Sequence, residues 1–231
     1  MTASKKEIIE SLSQCISDTR FAKMKDVVAQ RTRHIVPVLE HIYRPENLSA
    51  ALRSIEGLGI QDVHIVDRYA SKNKLINRHV SKGGSKWIDM HYYVDHEGEG
   101  VIQCLQGLKK QGYRLLATTP HCEMRLNEVP IDTKTAVIFG NEVKGISQVT
   151  KEYVDGFVGI PMYGFTESFN ISVSVAITLY DLMTRLRNSS VSWHLTPEEQ
   201  DEICYQWLKE NVPAAETIER RLINKDTVAP S

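Results

Sequence analysis

Residues 160–176 read Ile160-Pro-Met-Tyr-Gly-Phe-Thr-Glu-Ser-Phe-Asn-Ile-Ser-Val-Ser-Val-Ala176. The apolar run that leads into this stretch predicts the end of a buried strand, and Pro161 stops it because proline cannot donate a ladder hydrogen bond. Gly164 favours a sharp loop, and Ser168 and Asn170 are suited to cap a following helix. Apolar residues then recur at helical spacing, at Val173, Ala176, Ile177, Tyr180 and Met183. The stretch therefore predicts a strand, a tight loop and a capped helix, which together are typical of a small-molecule pocket.

Two further blocks stand upstream of this stretch. Residues 47–53 read Asn47-Leu-Ser-Ala-Ala-Leu-Arg53, and residues 138–147 read Ile138-Phe-Gly-Asn-Glu-Val-Lys-Gly-Ile-Ser147. With residues 160–176 they resemble, in order, the three motifs of the knotted SPOUT methyltransferases, in the TrmH branch of tRNA ribose methyltransferases. Each block alone is modest evidence, but three in order form a specific signal.

The composition is that of an ordinary globular protein. The chain has 231 residues, of which 42% are hydrophobic and 25% charged, enough for a sizeable core in one domain with or without extensions. Apolar runs stay well short of the roughly 18–20 residues that cross a bilayer. Residues 1–10 lack the apolar centre of a signal peptide, so we expect a cytoplasmic protein without membrane contact.

Residue spacing gives no indication of a metal or a disulfide framework. The four cysteines are scattered and the eight histidines lack ligand spacing, which predicts reduced thiols and no bound metal. The Gly-x-Gly-x-x-Gly fingerprint and the phosphate loop ending in Gly-Lys-Ser/Thr are also missing from the sequence. Their absence weakens a nucleotide-hydrolase or open-Rossmann interpretation.

Charge is segregated along the chain although the net charge is only −1. Residues 68–88 contain six lysines and arginines and no acidic residue, and residues 1–34 contain seven basic and four acidic residues. Basic segments of this kind suit phosphate contact. A solvated basic loop is the common alternative, so charge alone does not establish RNA binding.

Strand and helix patterns alternate along the middle of the chain. Strand candidates occupy residues 35–40, 62–67, 87–94, 113–118, 135–139 and 157–160. Helix candidates occupy residues 4–17, 20–33, 47–57, 100–110, 146–153, 173–187, 196–209 and 212–222. This alternation predicts an α/β fold with a mainly parallel sheet. We expect a helical N-terminal extension at 1–34, a core at 35–187 and a helical C-terminal extension at 188–231.

Single residues add local expectations. Pro37 suggests that its strand lies near an edge of the sheet, and Asn47 is suited to cap the helix that follows it. Residues 62–67 alternate polar and apolar side chains, as in a half-buried strand. The basic residues of the first two helices, including Lys23, Arg31 and Arg33, are expected on outer faces.

The resemblance implies a fold feature and a cofactor that residue patterns cannot reveal. Family members carry a deep C-terminal trefoil knot, which is nearly unknown elsewhere in proteins, and bind S-adenosylmethionine in its loops. Matching positions imply cofactor contacts from Thr118, Gly140, Ile160, Met162 and Phe169. Phe169 stands where leucine is more usual, but its apolar character is kept, so we expect the contact to be kept.

The resemblance also implies methyl transfer to a ribose 2′-hydroxyl of tRNA, most specifically at guanosine 18 of the D-loop. The implied catalytic set is Arg53, Asn47, Glu142, Ser168 and Asn170. From spacing alone, Arg53 is a solvent-exposed helix arginine, and Glu142 and Asn170 are loop caps. The family match assigns proton acceptance to Arg53, although a guanidinium normally stays charged. Stabilising the developing alkoxide or positioning a phosphate are the open alternatives.

The same resemblance implies partners and rival functions. We expect tRNA contacts from Lys23, Arg31, Arg33, Lys72, Arg78, Lys82 and Lys86. Family members are homodimers that pair through the knot region and the last core helix, although an apolar helix fits a monomeric core equally well. The alternatives are a ribosomal-RNA ribose methyltransferase, a catalytically inactive knotted RNA-binding protein, and a nucleotide-binding α/β protein without salt-sensitive affinity for RNA.

Overall fold

The computed structural model describes residues 3–69, 83–120 and 124–225. The chain divides into two compact units, one formed by residues 32–193 and the other by residues 1–31 together with 194–231. The elements of the larger unit are β1 (Ile35–Glu40), α3 (Pro45–Gly57), β2 (Asp62–Asp67), β3 (Asp89–Val94), α4 (Glu99–Lys110), β4 (Arg114–Thr118), β5 (Met124–Arg125), β6 (Thr135–Phe139), α5 (Gln148–Tyr153), β7 (Gly156–Gly159) and α6 (Ile171–Arg187).

The larger unit is built on a seven-stranded sheet in the order β3-β2-β1-β6-β4-β7-β5. Every recorded strand pair is parallel, so the predicted α/β class with a mainly parallel sheet is confirmed. Successive side chains along the strands point to opposite faces of the sheet, where they pack into two separate hydrophobic cores. One core includes Leu52 of α3 and Leu179 of α6, and the other includes Leu105 of α4. The trefoil knot stays a prediction.

Two expectations about the strands are wrong. Pro37 lies in β1, an interior strand, where it is opposite Val137 of β6. The missing N–H removes at most one ladder bond, and the register continues on both sides of the proline. The alternating residues 62–67 form β2, but five of its six residues are buried, because strands on both sides and a core on each face cover it.

The helix predicted from residue 47 begins earlier, and Asn47 does not cap it. Arg44 precedes α3 without a side-chain capping bond, and Pro45 occupies the first turn, where its missing N–H and fixed φ are tolerated. Asn47 is thereby placed inside the first turn, with its side chain free to bond to other elements. The predicted core-facing residues of α3, including Leu48 and Ile55, are buried as expected.

The described part of the smaller unit contains four helices, α1 (Lys5–Ser13), α2 (Asp18–Ala29), α7 (Pro197–Asn211) and α8 (Ala215–Lys225). Ser4 and Thr196 cap α1 and α7 with complete capping boxes. Leu12, Trp207 and Leu208 are buried in this unit. Whether residues 1–34 and 188–231 act as functional extensions stays a prediction.

The positions of Arg31 and Arg33 correct the expectation of outer-face arginines. Arg31 is only 1% exposed, and its guanidinium carbon lies 5.6 Å from the centre of the Trp207 ring, a cation–π arrangement. Arg33 pairs with Asp62 at 2.5 Å and with Asp89 at 2.8 Å. Both guanidinium groups therefore interact with other residues of the protein, and Arg31 is too buried to contact a phosphate.

Within the described ranges, none of the helices is both long and apolar enough to cross a membrane. The same part of the chain contains no cluster of three or more histidine, cysteine, aspartate or glutamate side chains that could hold a metal ion.

Candidate active site

A cavity of about 560 Å³ opens at the carboxyl ends of β4, β6 and β7. It is walled by the loops that leave these strands, at residues 118–120, 140–145 and 159–171. Ligands of parallel α/β sheets bind at this edge because the loops there converge. All five positions that the family resemblance assigns to the cofactor line the cavity: Thr118, Gly140, Ile160, Met162 and Phe169.

The loop after β6 is tightly folded, and its first residue must be glycine. A Cβ on Gly140 would lie 2.5 Å from the carbonyl carbon of Gly145 and from the nitrogen of Ile146. Asn141 and Gly145 exchange two backbone hydrogen bonds of 3.0 and 2.9 Å. The Asn141 side-chain oxygen accepts from the N–H groups of Val143 and Lys144, both at 2.9 Å. The loop therefore presents a fixed backbone surface to the cavity.

Glu142 is the centre of a hydrogen-bonded network that joins three elements. Its carboxylate accepts from the N–H of Tyr43 at 2.8 Å, from the side-chain amide of Asn47 at 2.7 Å and from the N–H of Arg44 at 3.5 Å. Partial burial acts to raise the pKa of Glu142, but these donors outweigh burial and hold its pKa below the ordinary value. Glu142 is therefore an ionised acceptor at neutral pH.

Asn170 extends this network to the helix after the third loop. Its side-chain nitrogen donates to the Asn47 side-chain oxygen at 3.2 Å. Its oxygen caps α6 by accepting from the N–H of Ser172 at 2.9 Å. Of the two predicted caps, Asn170 is confirmed, whereas Ser168 lies two residues before this cap and lines the cavity instead.

Four of the five predicted catalytic residues thus meet at the cavity, and Arg53 does not join them. Glu142, Ser168 and Asn170 line the cavity, and Asn47 bonds to two of them. Arg53 is exposed on α3 and lies outside the set of described residues that line the cavity. Its catalytic role stays a prediction.

The basic residues assigned to RNA have three different outcomes. Lys23 and Lys86 are exposed, so their contact with RNA stays a prediction. Lys72, Arg78 and Lys82 lie outside the described residues. The burial of Arg31 and the ion pairs of Arg33 are described above.

Sequence reasoning missed two residues that shape the site. Asn141 stands inside a motif and beside Glu142, so its folding of the loop could have been suspected from that position. Its side-chain nitrogen also donates to the backbone oxygen of His41 at 2.7 Å. His41 carries no sequence signal, because its role depends on a backbone conformation that residue type does not reveal.

A second, apolar groove of about 830 Å³ runs along α6 and the end of α3. Of the apolar residues predicted at helical spacing on α6, Met183 is buried and Ile177 packs against the core, while Val173 is 41% and Tyr180 63% exposed. Helix α6 is apolar on two faces, and its buried face consists of Val175, Thr178, Leu179, Leu182, Met183 and Leu186. Leu126 and Ile160 line both the groove and the cavity.

The donor set of the cavity fits S-adenosylmethionine, which combines a flat base, a ribose, a sulfonium and a charged amino-acid end. Apolar walls come from side chains such as Ile160 and Phe169, and backbone from the Gly140–Gly145 loop. Hydroxyls, an amide and both signs of charge are supplied by Thr118, Thr119, Ser168, Ser174, Asn170, Glu167 and Lys144. Such a mixture of apolar wall and few polar groups is typical of cofactor sites.

Comparison with known proteins gives concordant matches. The SpoU rRNA Methylase family model matches residues 34–180. A tRNA (guanosine(18)-2′-O)-methyltransferase of Borreliella burgdorferi is 37% identical over 92% of this chain and 94% of its own length. A 23S rRNA (guanosine-2′-O-)-methyltransferase RlmB of Xanthomonas axonopodis is 33% identical over 67% of this chain and 60% of its own. The crystal structure of the TrmH/SpoU tRNA modifying enzyme of A. aeolicus superposes with a TM-score of 0.73 at 28% identity, covering 85% of this chain and 98% of that one.

Proposed function

This chain belongs to the SpoU rRNA Methylase family, and on that premise we propose that it methylates the ribose 2′-hydroxyl of guanosine 18 in tRNA. The observation that carries the proposal is the 37% identity, over 92% of the chain, to an enzyme named for that reaction. The placement of Asn47, Glu142 and Asn170 at one cavity supports it.

The methyl donor in this proposal is S-adenosylmethionine, which supplies an electrophilic methyl group on a sulfonium. Thr118, Gly140, Ile160, Met162 and Phe169 would hold it, because they line the cavity from its three loops. The rigid backbone of the 140–145 loop leaves little to reorganise when the ligand binds.

The contribution of the protein is chiefly orientation of the ribose. The network of Glu142, Asn47 and Asn170 fixes the polar lip of the cavity, and Ser168 adds an exposed hydroxyl there. Holding the hydroxyl in line with the donor turns a bimolecular encounter into an oriented one. Glu142 remains ionised and saturated with donors, so it acts as a positioning group.

Arg53 completes the proposed catalytic set from the exposed face of α3. A ribose hydroxyl is a weak acid, so its proton must be accepted or its developing charge stabilised. A guanidinium stays protonated and binds phosphate bidentately, which favours holding the RNA backbone or the alkoxide. The alternative role, proton acceptance assisted by an RNA phosphate, predicts a pH-dependent rate that a lysine cannot restore.

Exposed basic residues would carry the contact with tRNA phosphates. Lys23 and Lys86 are exposed, and Lys72, Arg78 and Lys82 add charge to the same basic stretch of sequence as Lys86. Binding through such contacts weakens steeply with salt. The helical unit made by residues 1–31 and 194–231 would serve as the RNA-binding extension.

A second copy of the chain would cover the apolar groove along α6. Tyr180, Ile177 and Ala176 line this groove, and exposed apolar faces of this kind mark protein interfaces. Tyr180→Glu is expected to convert a dimer to a monomer in sedimentation velocity, whereas Glu152→Lys, an exposed change on α5, is the control. A wild-type protein that sediments as a monomer at all concentrations contradicts this assignment.

The test of the function is methyl transfer from labelled S-adenosylmethionine to unmodified bulk tRNA, with the modified nucleotide mapped. We expect label on the ribose of guanosine 18, lost by at least about 100-fold in Arg53→Ala and partly restored in Arg53→Lys if the role is electrostatic. Lys109→Ala removes an exposed lysine elsewhere on the core as the control.

Ribosomal RNA is the second substrate to assay, because the 33% identical relative is named for it. Transfer to ribosomal RNA without transfer to tRNA would overturn the substrate and keep the reaction. Cofactor binding without transfer to either RNA would instead favour the catalytically inactive RNA-binding alternative.

A further inference from the structure

His41 is the residue at which the interior strand β1 turns into the segment that leads to α3. It follows Glu40 directly, has a φ of 51° and is one of three non-glycine residues with positive φ in the described part of the chain. Non-glycine residues adopt this left-handed conformation uncommonly, and they keep it where surrounding contacts hold it.

The turn at His41 orients four backbone groups toward hydrogen-bond partners. The His41 N–H donates to the Val66 oxygen at 2.8 Å, which ties the turn to β2. The His41 oxygen accepts from the Asn141 side chain at 2.7 Å. The N–H groups of the next two loop residues, Tyr43 and Arg44, then donate to Glu142.

The imidazole holds this turn from the other side. Its Nε2 lies 2.9 Å from Asp95 and its Nδ1 3.9 Å from Asp67. Both carboxylates are themselves fixed, because Asp95 accepts from the N–H of Val101 at 3.1 Å and Asp67 from that of Tyr69 at 2.8 Å. The two aspartates raise the pKa of His41, with partial burial opposing them, which favours the charged imidazolium between them.

We propose that His41 is a positioning residue for methyl transfer, whose clamp between Asp67 and Asp95 keeps the 41–44 turn in register with Glu142 and Asn141. This inference rests on the proposed function, because it treats the Glu142–Asn47–Asn170 network as the part that orients the ribose. His41 does not itself line the cavity among the described residues, so it acts through Glu142 and Asn141.

Two substitutions separate the side chain from the backbone turn. His41→Gly removes the imidazole but lets the backbone keep a positive φ. His41→Asn keeps a residue that tolerates the left-handed region and can still donate one hydrogen bond. His96→Asn, which removes an exposed neighbouring imidazole, is the matched control.

We expect His41→Gly to lower kcat by about 10- to 100-fold, the effect of a small misplacement of catalytic groups. The KM for tRNA should stay within about 2-fold, because His41 is not among the described residues that line the cavity, and a kcat effect without a KM effect marks orientation. His41→Asn should recover part of kcat, and His96→Asn should match wild type. An unchanged kcat in a folded His41→Gly protein overturns the proposal.

A second readout does not depend on the reaction. Amide hydrogen exchange should accelerate at Tyr43 and Arg44 in His41→Gly, without acceleration in β6 or α6. Unchanged exchange at these two amides overturns the proposal, and so does acceleration throughout the sheet, which would mark a general loss of stability. If wild-type protein transfers no methyl group, the proposed function fails, while the exchange result still decides the role of the clamp.

The effect of His41 on the kcat of methyl transfer should also depend on pH. The charged groups facing His41 are Asp67 at the end of β2, Asp95 after β3 and Glu40 on its own strand. Because the clamp is strongest with a protonated imidazole, the ratio of wild-type to His41→Asn kcat should fall as pH rises through the pKa of His41. A ratio independent of pH contradicts a charged clamp.

Discussion

His64 and His91 stack on neighbouring strands, with ring centres 4.6 Å apart, yet their environments shift their pKa values in opposite directions. Burial, together with the nearby charge of His91, lowers the pKa of His64 to about 4. The hydrogen bond of His91 to Asp62, at 2.6 Å, raises the pKa of His91. Between about pH 4 and pH 6.5, a neutral His64 ring and a charged His91 ring therefore lie face to face on β2 and β3.

This pair predicts a specific acid sensitivity. His64 protonates near pH 6.5 when the chain is unfolded but only near pH 4 when folded, so the unfolded state binds more protons and stability falls as pH drops through this window. The slope from one such group approaches about 1.4 kcal/mol per pH unit. His64→Gln should reduce the pH dependence of the free energy of unfolding between pH 6 and 4 by roughly this slope, as measured by urea titration.

His91→Gln is the matched control for this measurement. The pKa of His91 is raised in the folded state, so its contribution is present below about pH 6.5 and is lost as pH rises above that value. Its removal should therefore lower stability most below pH 6.5, and should change the slope of stability against pH only above that value. If both substitutions changed the pH dependence of the free energy of unfolding equally between pH 6 and 4, the assigned charge states would be contradicted.

At the residue scale, the sequence could not distinguish basic side chains that face solvent from those that pair with other residues of the protein. Arg31 and Arg33 sit in a basic segment and looked like RNA contacts, as Lys23 did. Composition counts the charge but not the partner, and here Trp207, Asp62 and Asp89, all distant in sequence, decide the outcome. The positions of the motif residues were easier to predict, because their residue types meet backbone requirements. Gly140 lies where a Cβ would clash, and Asn170 caps α6.

Among the elements, α6 is positioned by Asn170, which has two separable tasks. Its oxygen caps the helix and its nitrogen holds Asn47. Asn170→Asp keeps a capping acceptor and places a negative charge at the helix N-terminus, where it is favourable. It loses the donor to Asn47 and adds a charge near Glu142.

We therefore expect Asn170→Asp to leave the free energy of unfolding within about 0.5 kcal/mol of wild type while lowering methyl transfer at least about 10-fold. Asn170→Ala should lose both tasks, with a stability cost of about 1 kcal/mol for the missing cap. Chemical denaturation and initial rates on tRNA measure the two effects. Parallel losses of stability and rate in Asn170→Asp would refute the separation.

The elements themselves were largely predictable, because most carry their own periodicity or cap. Residues 35–40 and 135–139 form the predicted strands with the predicted bounds. What the sequence could not give is which face of α6 meets the core, since both faces are apolar. Nor could it give the position of Pro37, because an interior strand can tolerate one missing donor when its register continues past the proline.

For the whole molecule, the order of strands and the joining of the two chain ends are properties of long-range packing. The two ends of the chain are far apart in sequence, and the sequence predicts them as separate extensions at 1–34 and 188–231. In the folded chain, residues 1–31 and 194–231 form one unit, in which α1 packs on α7 and Arg20 bonds to Asn211 at 2.7 Å. Neither contact has a local sequence signal, since each helix shows only an apolar stripe that needs some partner.

This shared unit predicts that removing one end is worse than removing both. Deleting residues 1–31 alone would strip α1 and α2 from α7 and expose buried apolar side chains, including Trp207 and Leu208, each worth about 1.5–3 kcal/mol when buried. Deleting 194–231 as well removes those exposed faces and leaves residues 32–193, which have two apolar cores of their own. We expect the single deletions to aggregate or to lower the midpoint of thermal unfolding.

The double deletion should stay soluble, bind S-adenosylhomocysteine and lose most of its affinity for tRNA. A soluble, stable 1–31 deletion would mean that α7 and α8 hold together without α1 and α2, and unchanged tRNA affinity in the double deletion would remove the helical unit from the RNA-binding surface.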